Sequence, residues 1–130
     1  MTVADTTVWA DWFNGVSTPA IHRLDVALAA GDIGVPPLVL AEVLQGFKTE
    51  DGFEQARALL VRLPLLPLDA LGYVEAARLF RRLRRVGITI HGTVDCVIAQ
   101  TCIGIEAELL TTDADFALIA RHSNLRLCRN

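Results

Sequence analysis

The chain has 130 residues, of which 52% are hydrophobic, and a formal net charge of −3; these values fit a single α/β domain over residues 1–130. The net charge excludes a general attraction to nucleic acid, and the three cysteines form no Cys-x-x-Cys pair, which argues against a disulfide framework or a structural zinc site. No apolar run reaches the roughly 18 residues of a membrane span, and the N-terminus lacks a signal-peptide pattern, so we expect a cytoplasmic protein without membrane association.

The first predicted elements are a strand and two helices. A strand over residues 1–4 leads into a helix that Thr6 or Thr7 caps. The next helix begins at Thr18 or the serine before it, because Pro19 is favoured in a first helical turn. These three elements place Asp5 at the carboxyl end of the first strand.

The middle of the chain predicts a short strand over residues 32–35 and a helix that opens at Pro36-Pro37 and carries Glu42. A further helix covers residues 53–62. Residues 63–68 are apolar but interrupted by two prolines. The segment is predicted to be a strand that these prolines interrupt, because proline cannot donate a hydrogen bond to a sheet.

The remaining elements begin with two helices. Asp69 caps a helix that extends to about Val86, and Thr93 caps a helix with Asp95 in its first turn. The last three elements are a strand, a helix and a strand, over residues 109–112, 114–121 and 125–127. Strands that alternate with helices predict a three-layer α/β/α sandwich with a short parallel sheet.

Carboxylates at the ends of apolar segments predict a divalent-metal site. Asp5 and Asp113 each follow a predicted strand, and ligands in this architecture gather at the carboxyl ends of strands. Glu42 is a lone carboxylate in an apolar helix, where burial is costly unless something compensates the charge. With Asp95 in a first helical turn, these side chains can converge on one acidic pocket.

Four segments that contain these carboxylates resemble a known family in their order and spacing. The segments are Val3–Trp9, Leu40–Val43, Thr93–Ala99 and Leu110–Phe116. The family is that of the PIN-domain ribonucleases, in particular the VapC-type toxins of bacterial toxin–antitoxin pairs. The resemblance covers nearly the whole chain and implies that Asp5, Glu42, Asp95 and Asp113 form the catalytic, metal-binding quartet, with Asp115 as a candidate outer-sphere carboxylate.

The resemblance also implies a cofactor and partners. The cofactor is Mg²⁺, with Mn²⁺ as a substitute, since hard cations prefer carboxylate oxygens in an open site. The implied activity is endonucleolytic hydrolysis of RNA by a toxin that a cognate antitoxin restrains and that forms a homodimer. The family's small hydroxyl beside the first aspartate is Thr6 or Thr7, although helix capping explains both threonines equally well. Thr111 and Thr112 carry the same ambiguity.

The sequence is also compatible with two alternative functions. One is a catalytically silent PIN fold that acts as a binding module. The other is a signalling receiver domain, but a receiver needs a lysine after a late strand and the only lysine of this chain is Lys48.

Three further features have no assigned role from the sequence. Arg78, Arg81, Arg82 and Arg85 form a basic helix face for RNA, an acidic partner or solvent. Trp9, Trp12 and Phe13 are predicted to be core or protein-interface residues. His91 is predicted to be an ordinary loop residue, with a place at the rim of the acidic pocket as the alternative.

Overall fold

The computed structural model describes residues 1–129. Within this range the chain forms three short strands and seven helices, six of which lie between β1 and β2. In chain order these are β1 (Thr2–Ala4), α1 (Thr6–Phe13), α2 (Pro19–Ala30), α3 (Pro37–Gln45), α4 (Glu50–Leu60), α5 (Ala70–Arg85), α6 (Val94–Gly104), β2 (Glu108–Leu110), α7 (Ala114–Arg121) and β3 (Arg126–Leu127). None of the helices described is long and apolar enough to cross a membrane.

The strands form one parallel sheet in the order β1-β2-β3. Val3 lies opposite Leu109, which lies opposite Leu127 on its other side. Val3 and Leu109 are fully buried, as expected for parallel strands that helices cover on both faces. The predicted α/β sandwich with a short parallel sheet is confirmed, and the carboxyl ends of β1 and β2 lie side by side.

The predicted strands over residues 32–35 and 63–68 were wrong, because each contributes only an isolated bridge. Thr2 pairs with Ile33, and Val35 pairs with Leu65. The backbone of Val35 makes hydrogen bonds on both sides of this bridge, to Pro64 at 2.8 Å and from Leu66 at 2.9 Å. The flanking prolines have no N–H group, so the ladder ends after one pair.

The N-terminus of α1 differs from the prediction. Asp5 is the N-cap, and its side chain accepts a hydrogen bond from the Val8 backbone N–H at 3.0 Å. Thr6 and Thr7 already lie inside the helix, which leaves their hydroxyl groups free for other contacts. The capping role predicted for these threonines was therefore wrong, and Asp5 combines a structural role with its position at the strand end.

The other helix starts follow the sequence signals with two exceptions. Thr18 caps α2 and Asp69 caps α5 through side-chain hydrogen bonds, as predicted. α4 begins one turn early because Thr49 accepts a hydrogen bond from Gly52 and serves as its cap. Thr93 occupies the N-cap position of α6, but its side chain makes no capping hydrogen bond.

Helices α5 and α6 pack closely against each other and bury apolar side chains of both helices. Leu79 and Leu83 of α5 are almost fully buried, as are Cys96 and Cys102 of α6. Neither cysteine is in a disulfide. Burial raises the pKa of the Cys96 thiol to about 11 and that of Cys102 to about 12, since the thiolate would lose its hydration. Both thiols are therefore protonated at neutral pH.

Replacement of a core leucine tests this packing. Leu24 of α2 is 0% exposed and Val26 of the same helix is 61% exposed. Leu24→Ala should lower the free energy of unfolding by about 2–5 kcal/mol, because it removes buried methyl groups and leaves a cavity. Val26→Ala, the control, should change it by less than about 0.5 kcal/mol. Urea denaturation measures both, and equal effects would contradict the described packing of α2.

Candidate metal centre

An acidic cleft of about 210 Å³ lies at the carboxyl ends of β1 and β2. Its walls come from the starts of α1, α6 and α7 and from the middle of α3, so segments far apart in sequence meet there. The lining residues are Asp5, Thr6, Thr7, Glu42, Asp95, Ile98, Asp113 and Phe116. The structure thus brings together all four carboxylates of the predicted quartet.

Asp5 is the most deeply buried carboxylate of the cleft, with an exposed fraction of 4%. One carboxylate oxygen accepts the hydrogen bond from the Val8 backbone N–H, and the other accepts a hydrogen bond from the Thr111 hydroxyl. The same hydroxyl accepts a hydrogen bond from the Asp113 backbone N–H at 3.0 Å. Thr111 therefore links the Asp5 carboxylate to the backbone of Asp113, so its hydroxyl orients a site residue, a role that the sequence left open beside helix capping.

Glu42 reaches the cleft from within α3 rather than from a helix terminus. Its Oε1 accepts a hydrogen bond from the Thr6 hydroxyl at 2.8 Å. This contact compensates a carboxylate that lies in an otherwise apolar helix. Of the two threonines after Asp5, Thr6 is the one that orients an acidic side chain.

Three carboxylates form the tightest cluster at the cleft. Asp95, Asp113 and Asp115 each offer an oxygen, and these oxygens lie within 4.8 Å of one another. Asp113 is the N-cap of α7 and accepts a hydrogen bond from the Asp115 backbone N–H at 2.9 Å. Asp95 and Asp115 occupy the first turns of α6 and α7, where the helix dipole favours negative charge.

A histidine lies at the rim of the cleft, which was the alternative position considered for it from the sequence. His91 lies in the loop before α6, and its Nδ1 lies 3.6 Å from a carboxylate oxygen of Asp115. Its ring is almost fully exposed. The prediction of an ordinary loop histidine missed this contact, because residues 91 and 115 meet only through the packing of the loop against α7.

The electrostatics of the cleft disfavour full ionisation. The pKa of Asp95 is raised from 3.8 to about 6, first by desolvation and then by repulsion from the neighbouring carboxylates, of which Asp113 and Asp115 contribute most. Burial also raises the pKa of Asp5, although its hydrogen bonds from Thr111 and Val8 oppose this effect. A cation in the cleft would relieve the repulsion among these groups.

The donor set fits Mg²⁺ or Mn²⁺. These ions bind hard oxygen ligands in an octahedron at about 2.1 Å, so two ligand atoms lie at most about 4.2 Å apart. The oxygens of Asp95, Asp113 and Asp115 lie within 4.8 Å of one another, close to that limit. Asp5 and Glu42 border the same open space, which leaves room for water and substrate as additional ligands.

Comparison with known proteins identifies the family. The PIN domain family matches residues 2–122. Ribonuclease VapC11 of Mycobacterium tuberculosis is 32% identical over 130 residues, which cover 97% of this chain and 96% of that protein. VapC ribonuclease Mb1587 of Mycobacterium bovis matches to the same extent. The chain therefore belongs to the PIN-domain family. Within that family it is similar to the VapC ribonucleases, which confirms the resemblance read from the sequence.

Solved structures show the same fold. VapBC2 from Rickettsia felis, bound to a promoter DNA fragment, has a TM-score of 0.77 at 22% identity and covers 98% of this chain and 96% of its own. FitAcB from Neisseria gonorrhoeae has a TM-score of 0.75 at 16% identity, with coverage of 99% and 97%. At these identities the likeness establishes the fold alone.

The raised pKa of Asp95 predicts a pH-dependent loss of stability in metal-free protein. A carboxyl group with a raised folded pKa stabilises the fold fully below about pH 4, and this contribution is lost as pH rises through about 6. Asp95→Asn removes the titration. Between about pH 4 and pH 7 in EDTA, the melting temperature of the wild type should therefore fall relative to that of the variant.

The matched control is Asp51→Asn, because Asp51 is an exposed first-turn aspartate of α4 outside the cleft. It loses a similar interaction with a helix dipole but no repulsion from the quartet. Its melting temperature should therefore not rise relative to that of the wild type as the pH is raised from about 4 to 7. If the melting temperature of Asp95→Asn also failed to rise relative to that of the wild type, the pKa of Asp95 would not be raised by burial and by its acidic neighbours.

Proposed function

We propose that the protein is a metal-dependent endoribonuclease toxin that hydrolyses phosphodiester bonds in RNA. The observation that carries the proposal is the convergence of Asp5, Glu42, Asp95 and Asp113 on one open cleft in a PIN-domain chain similar to VapC ribonucleases. Their proposed role is to hold Mg²⁺, or Mn²⁺ in its place, and Asp115 completes the oxygen cluster. An intact quartet favours catalysis over a silent binding module.

The residues of the cleft have distinct proposed roles. When bound, the metal supplies Lewis-acid activation of the attacking water and neutralises charge that develops on the phosphate. Thr111 holds Asp5 in one orientation, and Thr6 does the same for Glu42. Such supporting hydrogen bonds keep ligand oxygens aimed at the ion before it arrives. Asp113, as an exposed N-cap, lies on the side from which substrate enters.

Metal removal and substitution test this function. RNA cleavage should require Mg²⁺ or Mn²⁺ and stop in EDTA, because the carboxylates alone neither activate water nor neutralise the phosphate. Asp95→Asn should lower cleavage at least about 100-fold, the scale expected for loss of a group that binds the metal. Mg²⁺ should also raise the melting temperature of the wild type more than that of this variant.

Asp51→Asn serves again as the control and should cleave RNA at the wild-type rate. Gel analysis of end-labelled RNA and thermal melts provide the two readouts. Full cleavage after exhaustive chelation would refute the metal mechanism. Wild-type cleavage by Asp95→Asn would remove Asp95 from the proposed site.

We also propose that a cognate antitoxin restrains the enzyme, and the structure offers an apolar surface for it. A groove of about 80 Å³ lies between α1 and α3, lined by Ala10, Phe13, Asn14, Val43, Gly46 and Phe47. The rings of Phe13 and Phe47 pack edge to face with centroids 5.4 Å apart. Trp9 is fully buried, so it supports this surface from below rather than contacting a partner. An apolar helix of the antitoxin would fit such a groove.

Phe47→Ser tests the groove. The variant should bind the protein encoded beside this gene at least about 10-fold more weakly, because a half-buried aromatic anchor is lost. Val26→Ser, an exposed apolar residue of α2, is the control and should bind normally. Titration calorimetry gives both affinities. Equal affinities for wild type and Phe47→Ser would assign the antitoxin to another surface.

The remaining proposals concern assembly and location. We propose that residues 1–130 form one domain, supported by a single buried cluster that includes residues from β1 to the end of α7. A cytoplasmic homodimer completes the proposal. The first turns of α5 expose Leu71, Tyr73 and Val74, an apolar surface of the kind that a second copy covers. Light scattering of the purified chain measures the oligomeric state.

A further inference from the structure

Helix α5 exposes a continuous basic face, which we call the arginine stripe and define as Arg78, Arg81, Arg82 and Arg85. These four side chains line a concave region of about 310 Å³. Their spacing of three and four residues places them on one side of the helix over about 10 Å. The opposite side of α5 is buried through Ala76, Leu79 and Leu83.

Neither folding nor ion pairing explains this stripe. Of the four arginines in the stripe, only Arg78 has an acidic partner within residues 1–129, Glu75 at 3.7 Å, and the pair is exposed. The helix dipole favours Arg82 and Arg85 in the last turn, but Arg78 and Arg81 lie further from the C-terminus. Like charges at this spacing destabilise a helix. A polyanion that neutralised them would remove this cost.

The C-terminal end of the stripe is connected by one loop to the helix that carries Asp95. α5 ends at Arg85, and residues 86–93 connect it to α6, against which it packs. Asp95 lies in the first turn of α6, so the ends of the two helices that this connection joins carry Arg85 and Asp95. His91 of the connection contacts Asp115 of the acidic cluster. A chain of phosphates that leaves the cleft can therefore pass along α5.

We propose that the arginine stripe binds the phosphate backbone of the RNA substrate beside the bond that is cut. This inference rests on the proposed ribonuclease function and identifies a surface that holds the RNA outside the acidic cleft. The protein as a whole is acidic, with a net charge of −3, so RNA must be attracted by a local basic surface. Arginine suits this role because its planar guanidinium donates paired hydrogen bonds to phosphate oxygens. Contacts to the backbone position RNA without reading its sequence.

The salt dependence of RNA binding tests the stripe. For single strands the slope of log K against log salt is about −0.7 for each phosphate contact. Arg81→Gln/Arg85→Gln should therefore reduce the magnitude of the slope by about 1.4. The probe is a fluorescein-labelled oligouridylate in EDTA, measured by anisotropy. With Mg²⁺, the same variant should raise KM for RNA cleavage and leave kcat near the wild-type value, because the stripe lies outside the reacting atoms.

Two matched double variants separate charge from structure. Arg62→Gln/Arg121→Gln removes the same charge from exposed positions outside the stripe and should leave the slope close to that of the wild type. Arg81→Lys/Arg85→Lys keeps the charge and should retain most of the slope. An equal loss of slope in either control variant would overturn the proposal, since the effect would then not depend on charge in the stripe.

The binding and cleavage measurements test the arginine stripe and the proposed ribonuclease function independently. If the wild type cleaves RNA normally but Arg81→Gln/Arg85→Gln changes neither the slope nor KM, the proposed role of the stripe is wrong and the proposed function still stands. No cleavage by the wild type with Mg²⁺ overturns the proposed function, while the slope still decides whether the stripe binds RNA. If the slope is unchanged and the variant binds the neighbouring gene's product at least tenfold more weakly, the stripe is a protein-docking face and the RNA proposal is wrong.

Discussion

The buried carboxylate of Asp5 is the constraint on which the site depends. It lies at the end of β1 and caps α1, and it accepts a hydrogen bond from Thr111 in the turn after β2. A buried charge is tolerated only where hydrogen bonds replace its lost water. Here those bonds also fix three segments relative to one another. The position of Asp113 follows, because its backbone N–H donates to the Thr111 hydroxyl.

Two different interactions stabilise the remaining carboxylates in their positions. Asp95 and Asp115 lie in first helical turns, where the helix dipole partly offsets repulsion between them. Glu42 lies mid-helix and is held by Thr6. The cluster still carries unfavourable interactions, which appear as the raised pKa of Asp95. Groups kept in such an arrangement are typical of functional sites, where a ligand resolves the conflict.

The sequence predicted helices better than strands for a physical reason. Caps such as Thr18 and Asp69 act through contacts within one turn, so their signals are local. The short segments around Ile33 and Leu65 depend on partners far along the chain and on prolines that end pairing. Their apolar composition alone could not show that each would make a single bridge.

Prediction of the site was likewise limited to features with a local signal in the sequence. Strand ends and helix starts indicated where the four carboxylates would meet, and the structure places them in one cleft. The roles of Thr111 and Thr112 could not be separated from the sequence, since they depend on which hydroxyl faces Asp5. The contact between His91 and Asp115 joins a loop to a helix 24 positions later, a distance at which no local pattern exists.

The two buried cysteines of α6 bear on the chemical durability of the site. Oxidants attack thiolate, and attack depends on access. Cys96 adjoins Asp95 in sequence, yet burial and the adjacent carboxylate both hold its thiol protonated, and Cys102 is shielded in the same way. The helix that carries Asp95 therefore has no reactive sulfur. Peroxide should therefore not alter the acidic cleft through either of these two cysteines.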